Sequence, residues 1–302
     1  MKLVLFLACV LTVTLGAADH PRLTDPTVFQ RQELNETTGK TIHGGKLWIM
    51  EADGSHLRQI TFGHTYDEHA SMYADQQHVL YSESPGAGVH VGPGARLVKL
   101  NIYTGAREVI AEEPVCALHH ASLSPVDDLI AYHRDCGTRQ AQWQNLGADA
   151  FELPMRATNG VRTSTGIIAM HEKNMTQVPR EVSLVLYEGR GNDTTAKVLV
   201  DDKVLHRRAA ISLDEKLMAW QTNVAPNGDE IYIANIDGSK LRNLTNAGGN
   251  DGHPWFSRSG EKIVFESDRS GNWEIWILDL KSGKQTQLTE GKGHYVSTRA
   301  RM

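Results

Sequence analysis

Cysteine is scarce: there are three among 302 residues, at Cys9, Cys116 and Cys136. So few exclude a disulfide-dense scaffold and a multi-cysteine zinc or iron–sulfur centre. No apolar run reaches the ~20 residues of a membrane-spanning helix, so no stable membrane insertion is expected. Polybasic runs are missing and the net charge is -5, which leaves no electrostatic footprint for nucleic acid. Helical periodicity is not sustained anywhere past the first 20 or so residues. There is no G-x-S-x-G nucleophile elbow and no Gly-rich phosphate loop, and "HEK" at 171–173 lacks the second histidine of H-E-x-x-H. What remains is an ordinary globular composition, 40% hydrophobic and 22% charged, with 27 Gly and 10 Pro.

The first residues stand apart. "MKLVLFLACVLTVTLGAADH" has one lysine, a short apolar stretch and small residues at Gly16-Ala17-Ala18. That pattern predicts a secretory signal peptide over 1–18, with 19–302 as a single mature domain, periplasmic or secreted. Lipid attachment at Cys9 is the alternative, with only six residues between it and Lys2. Cleavage near Ala18 leaves Cys116 and Cys136, an even pair in an oxidising compartment.

The rest of the chain repeats itself. "YDEHASMYADQQHVLYSES" (66–84) lies over "NDGHPWFSRSGEKIVFESD" (250–268) without a gap, placing His69 on His253. At the same offset of 184 residues, "LWIMEADGSHLRQIT" (47–61) lies over "IYIANIDGSKLRNLT" (231–245), and "IWILDLKSGKQTQLT" (275–289) follows 44 later. That offset is four units of about 46, the length of a four-stranded propeller blade. "HASLSPVDDLIAYHRD" (120–135) adds His120 to the register, and "RAAISLDEKLMAWQTN" (208–223) carries Arg208 where the histidine stood. Residues 165–173 and 182–200 supply a degenerate further unit, and turns near Gly54, Gly105, Gly147, Gly191, Gly238 and Gly283 bring the total to six. Period-two alternation and Asp-Gly or Ser-Gly turns make each unit antiparallel sheet. The expectation is an all-β, six-bladed β-propeller in which "HYVSTRARM" (294–302) completes the N-terminal blade as its innermost strand.

"DGHPWFSRSGEKIVFESDRSGNWEIWILDLKSG" resembles the repeat of TolB-type β-propellers, the WD40-like PD repeat; the resemblance is to the propeller domain only. Ser257-Arg258-Ser259-Gly260 replaces the family's S-P-D-G step, and Ser124-Pro125 keeps the S-P. The resemblance implies a binding or interaction module. A looser similarity to oligogalacturonate lyases implies a second function, a metal-dependent carbohydrate-active enzyme holding its divalent metal with His and Gln at the channel mouth. On that reading Asn250 and His253 echo a Q-x-x-H pair, and Arg208 is the candidate catalytic base.

His69, His120 and His253 start innermost strands in three blades, with His294 in the closing blade, so a ring brings them to one channel mouth. Neutral imidazoles converging there suit zinc, manganese or iron. The bland alternative is that this histidine is the repeat's own habit, lining a wet channel without metal. Arg208 at the same level suits a carboxylate or phosphate. Asp67 and Asp251 are expected to cap loops, and His119 to pack on the far face of its strand by alternation. The expected protein is a monomer with a protein or carbohydrate ligand at the mouth. Finally, a hairpin turning at Pro125-Val126-Asp127 makes opposed residue numbers sum to about 252, which sets Cys116 opposite Cys136 within disulfide reach.

Overall fold

The computed structural model describes residues 20–33, 37–38, 44–86, 92–124, 129–137, 139–145, 151–153, 157–173, 181–189, 193–202, 204–224, 228–291 and 294–297. The expected leader, the turns near Gly147 and Gly191 and the Pro125-Val126-Asp127 turn lie outside the described residues.

Strands β1 (Pro26–Glu33), β2 (Lys46–Glu51) and β3 (Arg58–Gln59) open the chain. Strands β4 (Tyr66–Met72), β5 (His78–Ser84), β6 (Arg96–Asn101) and β7 (Arg107–Ala111) form an antiparallel sheet in chain order. So do β8 (Ala117–Leu123), β9 (Leu129–Asp135), β10 (Arg139–Asn145) and β11 (Phe151–Glu152). The pattern recurs in β12 (Ala157–Arg162), β13 (Gly166–Glu172), β14 (Val182–Glu188) and β15 (Thr195–Val200). It recurs again in β16 (His206–Ile211), β17 (Leu217–Thr222), β18 (Glu230–Asn235) and β19 (Arg242–Asn243). A further sheet holds β20 (Asp251–Phe256), β21 (Lys262–Ser267), β22 (Glu274–Asp279) and β23 (Gln285–Gln287). The last strand, β24 (His294–Ser297), returns to the start and gives the order β24-β1-β2-β3, so the described strands make six four-stranded sheets. The architecture is an all-β propeller.

Each outer turn follows from its sequence. In both Asp-Gly-Ser copies the aspartate Oδ1 accepts the serine N–H two residues on, Asp53 from Ser55 and Asp237 from Ser239, each at 2.9 Å. Gly54 and Gly238 between them take φ of 86° and 89°, a conformation glycine adopts without steric cost. The threonine ending each copy does a second task. The hydroxyls of Thr61, Thr245 and Thr289 accept the N–H of Leu47, Ile231 and Ile275 at 2.9, 3.0 and 2.8 Å. Each satisfies a buried donor at the start of the third strand of its sheet, or of β2 in the closing one.

The sheets pack face to face. Leu47 and Ile49 of β2 meet Val79, Tyr81 and Val98 of the next sheet. Leu80 and Leu97 meet Leu118, Ala121 and Ile130, and Val161 and Ile168 meet Ala209, Met218 and Trp220. Where the last sheet meets the first, Phe29 and Met50 pack with Trp255, Phe265 and Ile277. Full burial of one such side chain stabilises by roughly 1.5–3 kcal/mol. Neighbouring innermost strands are also tied by polar links. Ser71 Oγ accepts the Leu123 N–H, and Ser122 Oγ the Arg162 N–H, both at 3.2 Å.

Ring closure and the disulfide are each set by register. On β24, Ser297 opposes Gln30 and His294 opposes Glu33. On β8 and β9, Ala117 opposes Asp135, and Cys116 and Cys136 beyond them are joined, with Cα atoms 4.4 Å apart. Among the described residues no helix is long and apolar enough to cross a membrane.

Two outcomes are expected. Deleting 294–302 strips β1 of a neighbour and opens the ring, so the melting temperature should fall, by roughly 2–4 °C for each kcal/mol lost. An unchanged melting temperature would mean that β24 does not close the fold. The double change Cys116→Ser, Cys136→Ser releases a loop with a sequence separation of 20 and should cost up to about 3 kcal/mol in denaturant unfolding. Non-reduced peptide mapping of exported protein would check the bridge directly.

Candidate functional site

Every innermost strand from β4 to β20 carries a bulge at the same place. Register shifts fall between Glu68 and Ser71, His119 and Ser122, Thr158 and Val161, Arg207 and Ala210, and Gly252 and Trp255. Inside each shift sits one residue with left-handed φ: His69 (52°), His120 (54°), Asn159 (50°), Arg208 (56°) and His253 (47°). A compact residue follows every time, namely Ala70, Ala121, Gly160, Ala209 or Pro254. The extra residue breaks the period of two, so consecutive side chains no longer alternate across the sheet.

This overturns one expectation. His119 does not pack on the far face from His120, because the bulge puts the two rings side by side. Their Nδ1 atoms are 2.5 Å apart and their centroids 4.5 Å apart. His119 is still buried. His69 lies against His120 with centroids 3.7 Å apart, and His133 of β9 stands 4.8 Å from His120 and 5.4 Å from His119. Of the expected ring, His69 and His120 are therefore brought together. His253 instead pairs through Nδ1 with Glu266 of its own sheet. Arg208 is half-buried, its backbone N–H 3.5 Å from Met170 Sδ, and His294 lies opposite Glu33 in the register.

The residues opposite each bulge form a second level. They are Ser82, His133, Met170, Gln221 and Glu266. Two of them reach the following sheet: His133 Nε2 accepts the Asn159 N–H, and Met170 Sδ lies 3.5 Å from the Arg208 backbone N. The repeat alignment did contain this signal, since it sets His133 on Glu266. Asn159 escaped because its unit has lost the flanking motif. Its cue was local, an asparagine before glycine, the non-glycine residue most at ease with positive φ.

Asp67 and Asp251 anchor their strands by ion pairs. Lys46 Nζ lies 2.8 Å from Asp67 Oδ2, and an Arg269 guanidinium nitrogen 2.6 Å from Asp251 Oδ2. Burial raises the Asp67 pKa above its ordinary value, and the Lys46 charge opposes that shift. The folded state thus binds this proton more tightly than the unfolded state. Its contribution to stability is full below the ordinary carboxylate pKa and is lost as pH rises through the raised value. Asp67→Asn should remove that component, so the variant's stability should fall less than the wild type's between mildly acidic and neutral pH. Parallel pH-dependent unfolding curves would contradict it.

The other ends of the same strands are different in kind. Met72, Tyr73, Leu123, Val161, Ile211 and Trp255, with Arg258, line a mainly apolar cavity of about 70 Å³. The ring has a polar end and an apolar end.

No protein-family model matches the chain. A TolB homologue of Chlorobium luteolum is 36% identical over 85 residues, which is 26% of this chain and 19% of that relative. The chain thus spans less than a fifth of the curated relative it matches. TolB of Acinetobacter baumannii superposes with a TM-score of 0.70 at 15% identity, over 90% of this chain and 65% of that one. A TolB-like structure from Agrobacterium tumefaciens gives 0.60 at 14%, over 91% and 99%. An oligogalacturonate lyase in complex with manganese gives 0.52 at 14%, over 87% and 73%. The fold of this chain is the TolB-type β-propeller.

Proposed function

We propose that the protein is an exported binding module whose ligand site lies at the polar mouth of the channel. Each four-stranded sheet is one blade of a six-bladed ring, closed within 19–302 after removal of 1–18. His69, His120, Asn159, Arg208 and His253 are the ligand-contacting set, with His294 from the closing strand. One observation carries this reading. All five bulge residues adopt left-handed φ, where glycine costs least, yet none of them is glycine. Four carry an imidazole or a guanidinium, and the fifth an amide. Non-glycine residues held in that region at a cost mark functional positions more often than structural ones. The occupant is a protein segment or a carbohydrate bearing an acidic group for Arg208. The leader pattern and the Cys116–Cys136 bridge support a periplasmic or secreted monomer.

A second reading, a metal-dependent carbohydrate lyase, is favoured by the imidazole cluster and by the structural likeness to the manganese-bound lyase. Fold alone does not decide between them. Arg208 would then be the proton acceptor, and zinc, manganese or iron the cofactor.

Peptide and glycan arrays probed with full-length mature protein should return an acidic ligand. Arg208→Ala and His253→Ala should each weaken it about tenfold, or about 1.4 kcal/mol. Ligands held equally well by both variants would move the site away from this mouth. Unsaturated product from oligogalacturonate, dependent on added manganese, would establish the lyase.

A further inference from the structure

We propose that His119, His120 and His133 together hold one divalent transition-metal ion of the zinc class. This deepens the channel-mouth reading, on which the identity of the ion's outer ligand rests. It draws the metal ligands from a single hairpin rather than from separate blades.

Register supplies the first two ligands. His119 and His133 are directly opposite on β8 and β9. The left-handed φ of 54° at His120 then turns the next ring to the same side. One nitrogen from each of the three rings lies within 4.8 Å of the others. Three nitrogens bound to one ion at 2.0–2.1 Å would stand about 3.4 Å apart, so small ring rotations close the site. Neutral imidazoles select zinc-like ions over calcium or magnesium, which prefer carboxylate and carbonyl oxygen.

The surroundings favour the same ion. His69 packs on His120 with ring centroids 3.7 Å apart, which limits the orientations open to that ligand. The Cys116–Cys136 bridge lies three residues along from the His119–His133 pair and fixes their pairing. His119 and His133 are buried while His120 is partly exposed. Three protein ligands leave a fourth position, on the His120 side, for water or for an oxygen of a bound ligand.

A purely structural role for His133 is also on the page, because its Nε2 accepts the Asn159 N–H. Glutamine separates the two roles. Its amide oxygen can accept that N–H, but it supplies no imidazole to a metal.

The test uses chelator-treated full-length mature protein, titrated with zinc by calorimetry and with cobalt(II) by visible absorption. Wild type should bind one equivalent of zinc, undisturbed by excess calcium or magnesium. His119→Gln and His133→Gln should lose at least about 100-fold in affinity with little change in melting temperature. His69→Ala, which removes only the ring stacked on His120, should weaken binding less than either glutamine change. His64→Gln, on an exposed loop, should match wild type. Wild type binding zinc no better than His133→Gln would overturn the proposal. So would an equal loss in His253→Gln, which would make the ion one shared between blades. An array ligand retained without any zinc response would overturn this assignment and leave the channel-mouth reading standing. Zinc bound at this hairpin with no ligand found would support the metal and count against that reading.

Discussion

The innermost-strand bulge is the constraint from which the rest of this molecule follows. A regular strand would send alternate side chains to opposite faces, and each face of an innermost strand is already committed to a neighbouring blade. By taking left-handed φ at one position, the strand gains a residue that belongs to neither face. That residue, with the one before it, is released from the strand's alternation, as the adjacent rings of His119 and His120 show. The same extra residue frees backbone N–H groups from the ladder, and the adjoining blade satisfies them: His133 for Asn159, Met170 for Arg208. One local irregularity therefore both brings side chains of neighbouring blades together and helps to bind one blade to the next.

Such a device works only in a closed ring. Polar groups such as Glu68, His133 and Glu266 are buried on innermost or second strands, and an open sheet would not hold them in register. Closure comes from four residues of β24 against β1, and from Phe29 and Met50 meeting Trp255 and Phe265 across the seam. The threonine clasps act at the outer rim. They pin the short outer strands to the strand beside them, where two- and three-residue ladders would otherwise contribute little.

Much of the fold was legible in the sequence because its causes are local and repeated. Asp-Gly-Ser turns, the closing threonine and the period of two need no tertiary information. The bulge was invisible to a period-two argument, and so His119 was assigned to the wrong face. The cysteine pairing shows how a right answer can hide an incomplete model. Near the turn, Leu123 opposes Ile130, one residue out of the frame that the assumed turn implies. The bulge at His120 absorbs that residue, and Ala117 opposite Asp135 is back in frame. Two one-residue effects cancel before the cysteines are reached. His133 and Glu266 were present in the repeat alignment but carried no weight, because nothing in a linear pattern says that second-strand residues opposite a bulge meet the bulge side chains.

The composition of the bulge ring is itself an argument about selection. Each non-glycine residue held at left-handed φ costs on the order of 1 kcal/mol or more, and the bulges hold five of the ten such residues among those described. Against a net stability of about 5–15 kcal/mol for a folded domain, that is a substantial charge. Glycine at all five places would relieve it without disturbing the bulge, since glycine reaches these angles freely. Outside the bulges the chain mixes the two choices, with glycine at positive φ at Gly54, Gly105, Gly238 and Gly283 but His56, Gln76, Glu215 and Lys240 at similar angles in other turns. At the five bulge positions it uses no glycine at all. Geometry alone would allow at the bulges the same mixture that the turns show, so their uniform use of a polar side chain is the feature that backbone conformation does not explain.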